Sequence, residues 1–172
     1  MRKCHLEQGI IGHIIPVNQV INDKIIDFKG QSQAEVLLEE ESIDLMDKLR
    51  DLFEIYVTRF NELRAHQGDN TKTIKVFKIS NTVNDFMLFR NSLKLIVARK
   101  SSDCISIGFL TNTGSFFSPK TANNLPNENN MHEIRAHIGP FNNVTWQFHG
   151  EKIDVQALVK HYITEFVRLS SR

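Results

Sequence analysis

The clearest regular pattern in the chain is helical and lies in its first half. Apolar positions recur there at alternating spacings of three and four residues: Met46, Leu49, Phe53, Tyr56, Phe60 and Leu63. They share one face of a helix, and Gly68 offers the left-handed residue that commonly ends one. The same spacing is a heptad seam of under three heptads, so a helix laid on a sheet and a two-stranded coiled coil both fit. Ser32 and Glu35 fit a capping box, so the helix begins there or after Ser42.

A second helix is predicted at the C-terminal end. Asp154 is a good N-terminal cap. An apolar stripe at helical spacing follows it: Val155, Leu158, Val159, Tyr162, Ile163, Phe166 and Leu169. Lys160, Glu165 and Arg168 lie off this stripe, so the helix should dock its apolar face on a sheet.

The region between the two helices has the pattern of β-strands. Runs at 73–79, 86–99 and 104–110 are separated by short polar connections, which favours an antiparallel meander. Runs at 133–138 and 144–149 fit a hairpin, and residues 1–30 read as a separate N-terminal hairpin segment. Together these elements predict one α+β domain over 1–172: an antiparallel sheet of about five strands, meander plus hairpin, packed with one long helix in the N-terminal half and one C-terminal helix.

Residues 111–131 interrupt every periodicity and are rich in Asn and Pro. A loop of this length in a compact domain is either functional or mobile, and we expect a long mobile loop. Its adjacent Phe116 and Phe117 cannot easily share one buried strand face, and exposed aromatics call for a cover. Either they dock on another copy or a partner, or they close over the domain's own core.

Composition narrows the class of protein. The formal net charge of +1 gives no overall field to steer nucleic acid or acidic membrane towards the chain, and no window approaches the length of a membrane span. Cys4 and Cys104 are too few and too far apart to form a disulfide framework, which is typical of a reducing compartment. We therefore expect a cytoplasmic protein that has no membrane partner.

Charge is distributed unevenly along the chain. Residues 35–66 carry four basic against nine acidic side chains, a difference of −5, whereas residues 72–100 carry seven against one, a difference of +6. Basic strands are candidates for meeting phosphates. The candidate nucleic-acid-binding residues are Lys75, Lys78, Arg90, Lys94 and Arg99. The alternative is that these cations are solvated or pair with acidic groups, because RNA-binding sheets also expose aromatics beside their cations.

Motifs with catalytic or metal chemistry are missing. His132 and His137 in His132-Glu133-Ile134-Arg135-Ala136-His137 are five residues apart, one more than the zinc-protease spacing, and in a strand they would point to opposite faces. The chain has neither a Gly-rich phosphate loop nor a nucleophile elbow. The sequence therefore predicts no metal and no cofactor.

Three hypotheses for function remain. The first is a non-enzymatic binding or assembly module, homodimeric or bound to a protein partner, with Phe116 and Phe117 at the contact. The second is a nucleic-acid-binding domain that uses the basic strands at 72–100. The third is an enzyme with a site dispersed over His132, His137, His149 and Glu133.

Overall fold

A computed structural model describes residues 33–68, 73–119 and 131–171, all of which except Gln33 belong to the compact unit Ala34–Arg172. It contains helices α1 (Gln33–His66) and α2 (Val155–Ser170) and a short 3-10 turn at Pro140–Asn142. The strands are β1 (Lys75–Lys78), β2 (Phe86–Arg90), β3 (Leu93–Ser101), β4 (Cys104–Leu110), β5 (Phe116–Phe117), β6 (His132–Ile138), β7 (Val144–Phe148) and β8 (Glu151–Lys152). The predicted N-terminal hairpin at 1–30 and loop residues 120–130 lie outside the described residues.

The strands form one antiparallel sheet in the order β1-β2-β3-β4-β6-β7-β8, with β5 paired to β4. This confirms the α+β class with its antiparallel sheet and two helices. Among the described residues the sheet has eight strands rather than about five, in part because the run 86–99 is two strands. They meet at a turn in which Asn91 adopts φ 55°, a backbone conformation that Asn tolerates better than most residues. The other two additional strands are the two-residue strands Phe116–Phe117 and Glu151–Lys152.

Both helices pack on the same face of the sheet, which we call the inner face. Phe53 of α1 meets Phe86 of β2 edge to face, with ring centroids 5.8 Å apart. Phe166 of α2 stacks on Phe109 of β4 at 6.3 Å. Because side chains alternate along a strand, the residues between the inner ones point to the opposite, outer face. Neither described helix covers that outer face.

The ends of the helices follow the sequence signals. The Asp154 carboxylate accepts hydrogen bonds from the backbone N–H groups of Gln156 at 2.9 Å and Ala157 at 3.1 Å, the expected cap of α2. Gly68 follows α1 with φ 75°, and its N–H donates to the Ala65 carbonyl. Within the described ranges, neither helix is both long and apolar enough to cross a membrane.

The apolar seam of α1 is used inside the domain. Met46, Leu49 and Phe53 are fully buried in the core, whereas Leu63 at the far end is 65% exposed. Of the two alternatives for this seam, the structure shows the helix laid on its own sheet.

Candidate functional site

The outer face carries a row of alternating lysine and apolar side chains. In the strand register, Phe89 of β2 lies opposite Lys75 of β1 on one side and Lys94 of β3 on the other. The row continues through Leu110 of β4 to Phe116 of β5. Neighbours in such a row have Cβ atoms about 5 Å apart, close enough to form one surface. We call it the lysine–phenylalanine row.

A second row lies two residues along the strands and is apolar. It comprises Phe77, Met87 and Ile96, and it ends at Gly108. Phe77 is 41% exposed, and it is the diagonal neighbour of Phe89, within reach of an aromatic side chain. The two rows place exposed and half-buried aromatic rings beside lysines on the outer face.

Phe116 and Phe117 are divided between the two faces. Phe117 pairs with Phe109 in the register, and their ring centroids are 5.2 Å apart on the inner face. Phe116 points outward and is 38% exposed. The adjacent rings therefore do not share a face: Phe117 packs against this domain's own core, and Phe116 extends the outer face.

The five basic candidates also divide. Lys75 and Lys94 lie on the outer face, and the exposed Lys78 lies opposite the inward-facing Phe86 at the sheet edge. Arg90 and Arg99 point to the inner face, and Arg90 is only 2% exposed. A single basic surface made of all five does not form.

Arg90 and Arg99 instead connect the sheet to the helices. The Arg90 guanidinium donates to the hydroxyls of Ser170 at 3.0 Å and Ser171 at 2.9 Å, at the end of α2 where the helix dipole favours a cation. Its centre also lies 5.0 Å from the ring of Phe60. Arg99 contacts Glu39 of α1 at 2.7 Å. These two cations therefore link the sheet to α2 and α1, respectively.

The outer face nevertheless remains positive. The strand register places four basic side chains on this face, against the one acidic group of Glu133, an excess of three charges. The basic set is Lys75, Lys94, Arg135 and Lys152. The acidic helix α1 lies on the opposite side of the sheet, so the charge asymmetry of the sequence becomes a charge difference between two faces.

The four residues of the dispersed-enzyme hypothesis are only partly brought together. His132 is buried on the inner face, where its Nδ1 shares a hydrogen bond with the Tyr162 hydroxyl. His137 is exposed on the outer face at the far end of β6. Glu133 and His149 line one pocket of about 390 Å³. His132 and His137 thus point to opposite faces, as expected from their odd spacing in a strand.

This pocket, the β6–β7 pocket, is formed by residues of these two paired strands and of the positions next to them. It is lined by Met131, Glu133, Arg135, Gln147, Phe148, His149 and Gly150. Glu133 contacts Lys100 Nζ through Oε1 and Arg135 Nη2 through Oε2, each at 2.5 Å. The hydrogen bond from Lys100 is the main reason that the pKa of Glu133 lies below its usual value, so its carboxylate is ionised at neutral pH.

Comparison of the chain with protein-family models, characterised proteins and solved structures finds no match. The described part of the chain also holds no group of three or more His, Cys, Asp or Glu side chains able to bind a metal ion. The outer face therefore has two candidate binding features, its aromatic and basic rows and the β6–β7 pocket.

Sequence reasoning missed several members of this surface. Placing Phe89 on the lysine face needs the register of β1, β2 and β3. Phe77 is two residues from Lys75 on β1, so the alternation along that strand is a signal that could have found it. Arg135 and Gln147 were not selected, although they lie opposite each other on β6 and β7. Alternation within a strand indicates which side chains share a face of that strand. The sequence does not show the pairing register that relates one strand to the next.

Proposed function

We propose that the protein is a non-enzymatic binding module that holds single-stranded nucleic acid on the outer face of its sheet. The observation that carries the proposal is the placement of Phe89 between Lys75 and Lys94, with Phe77 as its diagonal neighbour. Aromatic rings beside lysines on an open sheet are the combination that RNA-binding sheets use. Whether aromatic rings lie beside the lysines is the question that the sequence alone leaves open.

The two kinds of side chain have separate roles in this binding. The rings of Phe77 and Phe89 offer surfaces on which bases stack, a contact worth about 1 to 3 kcal/mol per base and tolerant of sequence. Lys75 and Lys94 neutralise phosphates and release counterions. Phe116 lies three β-strand spacings beyond Phe89, roughly 14 Å away. It gives a third stacking position further along the bound nucleic acid.

Charge favours nucleic acid over a second copy of the chain as the occupant. A symmetric dimer through the outer face would oppose two surfaces that each have an excess of three positive charges, and like charges across an interface are costly. Nucleic acid supplies the complementary charge. Self-association through Phe77 and Phe116 is the competing outcome that the experiment must separate.

The proposal is tested by measuring the affinity for a labelled single strand by fluorescence anisotropy. The strand has 12 nucleotides of mixed sequence, and the salt concentrations are 50 and 200 mM. Phe77→Ala should weaken binding roughly 5-fold to 150-fold, the loss of one stacked base. Lys75→Ala should weaken binding and lower the salt slope by about one. Matched controls are Phe141→Ala, at a fully exposed ring in the 3-10 turn, and Lys160→Ala on the exposed side of α2; neither should change affinity.

Absence of binding at 50 mM salt would overturn the proposal. Sedimentation velocity on the same proteins reports the competing outcome. A wild-type dimer that Phe77→Ala converts to monomer, together with no affinity for the oligonucleotide, would assign the outer face to self-association instead.

A further inference from the structure

The β6–β7 pocket lies on the same outer face as the aromatic rows and has a different character. Three of its side chains on the two strands end in planar polar groups: the Glu133 carboxylate, the Arg135 guanidinium and the Gln147 amide. Glu133 and Arg135 are two residues apart on β6 and therefore point the same way. Gln147 of β7 lies directly opposite Arg135 in the register. The pocket of about 390 Å³ is thus lined by adjacent hydrogen-bonding groups.

These groups have spare hydrogen-bonding capacity. An ionised carboxylate has about four acceptor positions; Lys100 and Arg135 occupy one on each oxygen of Glu133. A guanidinium has five N–H donors, and one of those on Arg135 is directed to Glu133. A ligand in the pocket therefore meets an acceptor pair beside a donor set, held in place by their mutual ion pair.

We propose that the β6–β7 pocket binds a guanine base, with Glu133 accepting from its N1–H and N2–H₂ groups and Arg135 donating to its O6. Guanine presents two neighbouring N–H donors and a carbonyl acceptor on one edge. Adenine and cytosine each place an unprotonated ring nitrogen beside their amino group, and it would face the carboxylate. Uracil offers a single N–H between two carbonyls. Only guanine satisfies both oxygens of Glu133 and Arg135 together.

The proposal rests on the proposed function for the origin of the base, since a nucleotide of a bound single strand would reach this pocket from the aromatic rows. A free guanine mononucleotide has the same edge and would fit as well. The experiment therefore includes both ligands: 12-nucleotide strands with guanine, inosine or adenine at one central position, and the mononucleotides GMP, IMP and AMP.

The strand with guanine should bind roughly 5-fold to 150-fold more tightly than the strand with adenine, the discrimination of one bidentate base contact. Inosine lacks the N2 amino group, so the affinity for the inosine strand should lie between those for the guanine and adenine strands. This comparison uses the wild-type protein throughout. Glu133→Gln, checked for an unchanged melting temperature, should abolish the preference for the guanine strand over the adenine strand. Glu151→Gln, at an exposed carboxylate on β8 outside the pocket lining, should keep it.

The results separate the two proposals. Equal affinity for guanine and adenine strands, with binding otherwise normal, would overturn the guanine pocket and leave strand binding in place. Failure of every strand to bind while GMP binds more tightly than IMP and AMP would uphold the pocket and overturn strand binding. If no strand and no mononucleotide binds, both proposals are wrong.

Discussion

The Arg99 guanidinium contacts the Glu39 carboxylate at 2.7 Å and so joins β3 to the first half of α1. Its Nη1 also donates to the Ser42 hydroxyl at 3.0 Å. The Arg99 side chain is only 14% exposed, and Ser42 is fully buried. One cation of the basic strands is therefore matched by one acid of the acidic helix in the same domain.

Replacement of Arg99 by Ala should destabilise the domain by about 1 to 3 kcal/mol, because it leaves the buried Ser42 hydroxyl without this donor and removes the packed stem of the side chain. The hydrogen bond from Arg99 is also the main cause of the lowered pKa of Glu39, so that pKa should rise towards its ordinary value. Urea unfolding measures the first effect and NMR titration the second. An unchanged Glu39 titration would show that the pair does not persist in solution.

Phe166 anchors α2 to the sheet, and Phe166→Ala should cost about 3 to 5 kcal/mol, the range for a large core aromatic whose loss leaves a cavity. Its ring is fully buried and stacks on Phe109. Urea unfolding followed by circular dichroism measures the change. Leu169 at the partly buried end of the same stripe provides a control, and Leu169→Ala should cost less. A cost below about 1 kcal/mol for Phe166→Ala would mean that α2 is peripheral.

Tyr162 should make folding sensitive to alkaline pH. Burial raises the pKa of its hydroxyl well above the ordinary value, so the folded chain keeps this proton where the unfolded chain loses it. The contribution of Tyr162 to stability is then constant below about pH 10, the pKa of tyrosine in the unfolded chain. Above that pH it falls by about 1.4 kcal/mol per pH unit. Unfolding at pH 8 and 11, compared between wild type and Tyr162→Phe, should show this component in the wild type only.

The same substitution tests the hydrogen bond between Tyr162 and His132. At pH 8, Tyr162→Phe should cost about 1 to 3 kcal/mol, because the buried His132 loses this partner. A neutral effect at pH 8 would show that the hydrogen bond contributes nothing net to stability.

The lysines should contribute to binding and not to folding. Replacement of Lys75, Lys78 and Lys94 by Glu is expected to leave the melting temperature within a few degrees of wild type, since exposed and partly exposed charges contribute little to stability. It should abolish binding to the single strand, because Lys75 and Lys94 lie on the lysine–phenylalanine row. Unfolding of the triple variant would show that these lysines are needed by the fold.

The limits of sequence reasoning in this chain have a specific physical cause. Helix patterns such as the Asp154 cap and the stripe through Phe166 depend on residues close in sequence, and the structure confirms them. Which lysines share a face with which phenylalanines depends on register between strands, which is set by turns. The turn at Asn91 carries only a weak signal, and once it was missed β2 and β3 were read as one strand. Arg90, next to that turn, was consequently placed on a surface although it is buried.

Phe116 and Phe117 give the sharpest test of the outer face, because neighbouring rings of the same kind lie on opposite sides of one short strand. Phe117 packs 5.2 Å from Phe109, between ring centroids, so Phe117→Ser should lower the melting temperature at every protein concentration. Phe116 is 38% exposed and forms the end of the lysine–phenylalanine row, so Phe116→Ser should leave the melting temperature nearly unchanged and weaken binding of the single strand. Thermal unfolding at two protein concentrations, together with anisotropy, separates these effects. A fall in melting temperature for Phe116→Ser as large as that for Phe117→Ser, with affinity unchanged, would make both rings loop anchors and remove Phe116 from the binding surface.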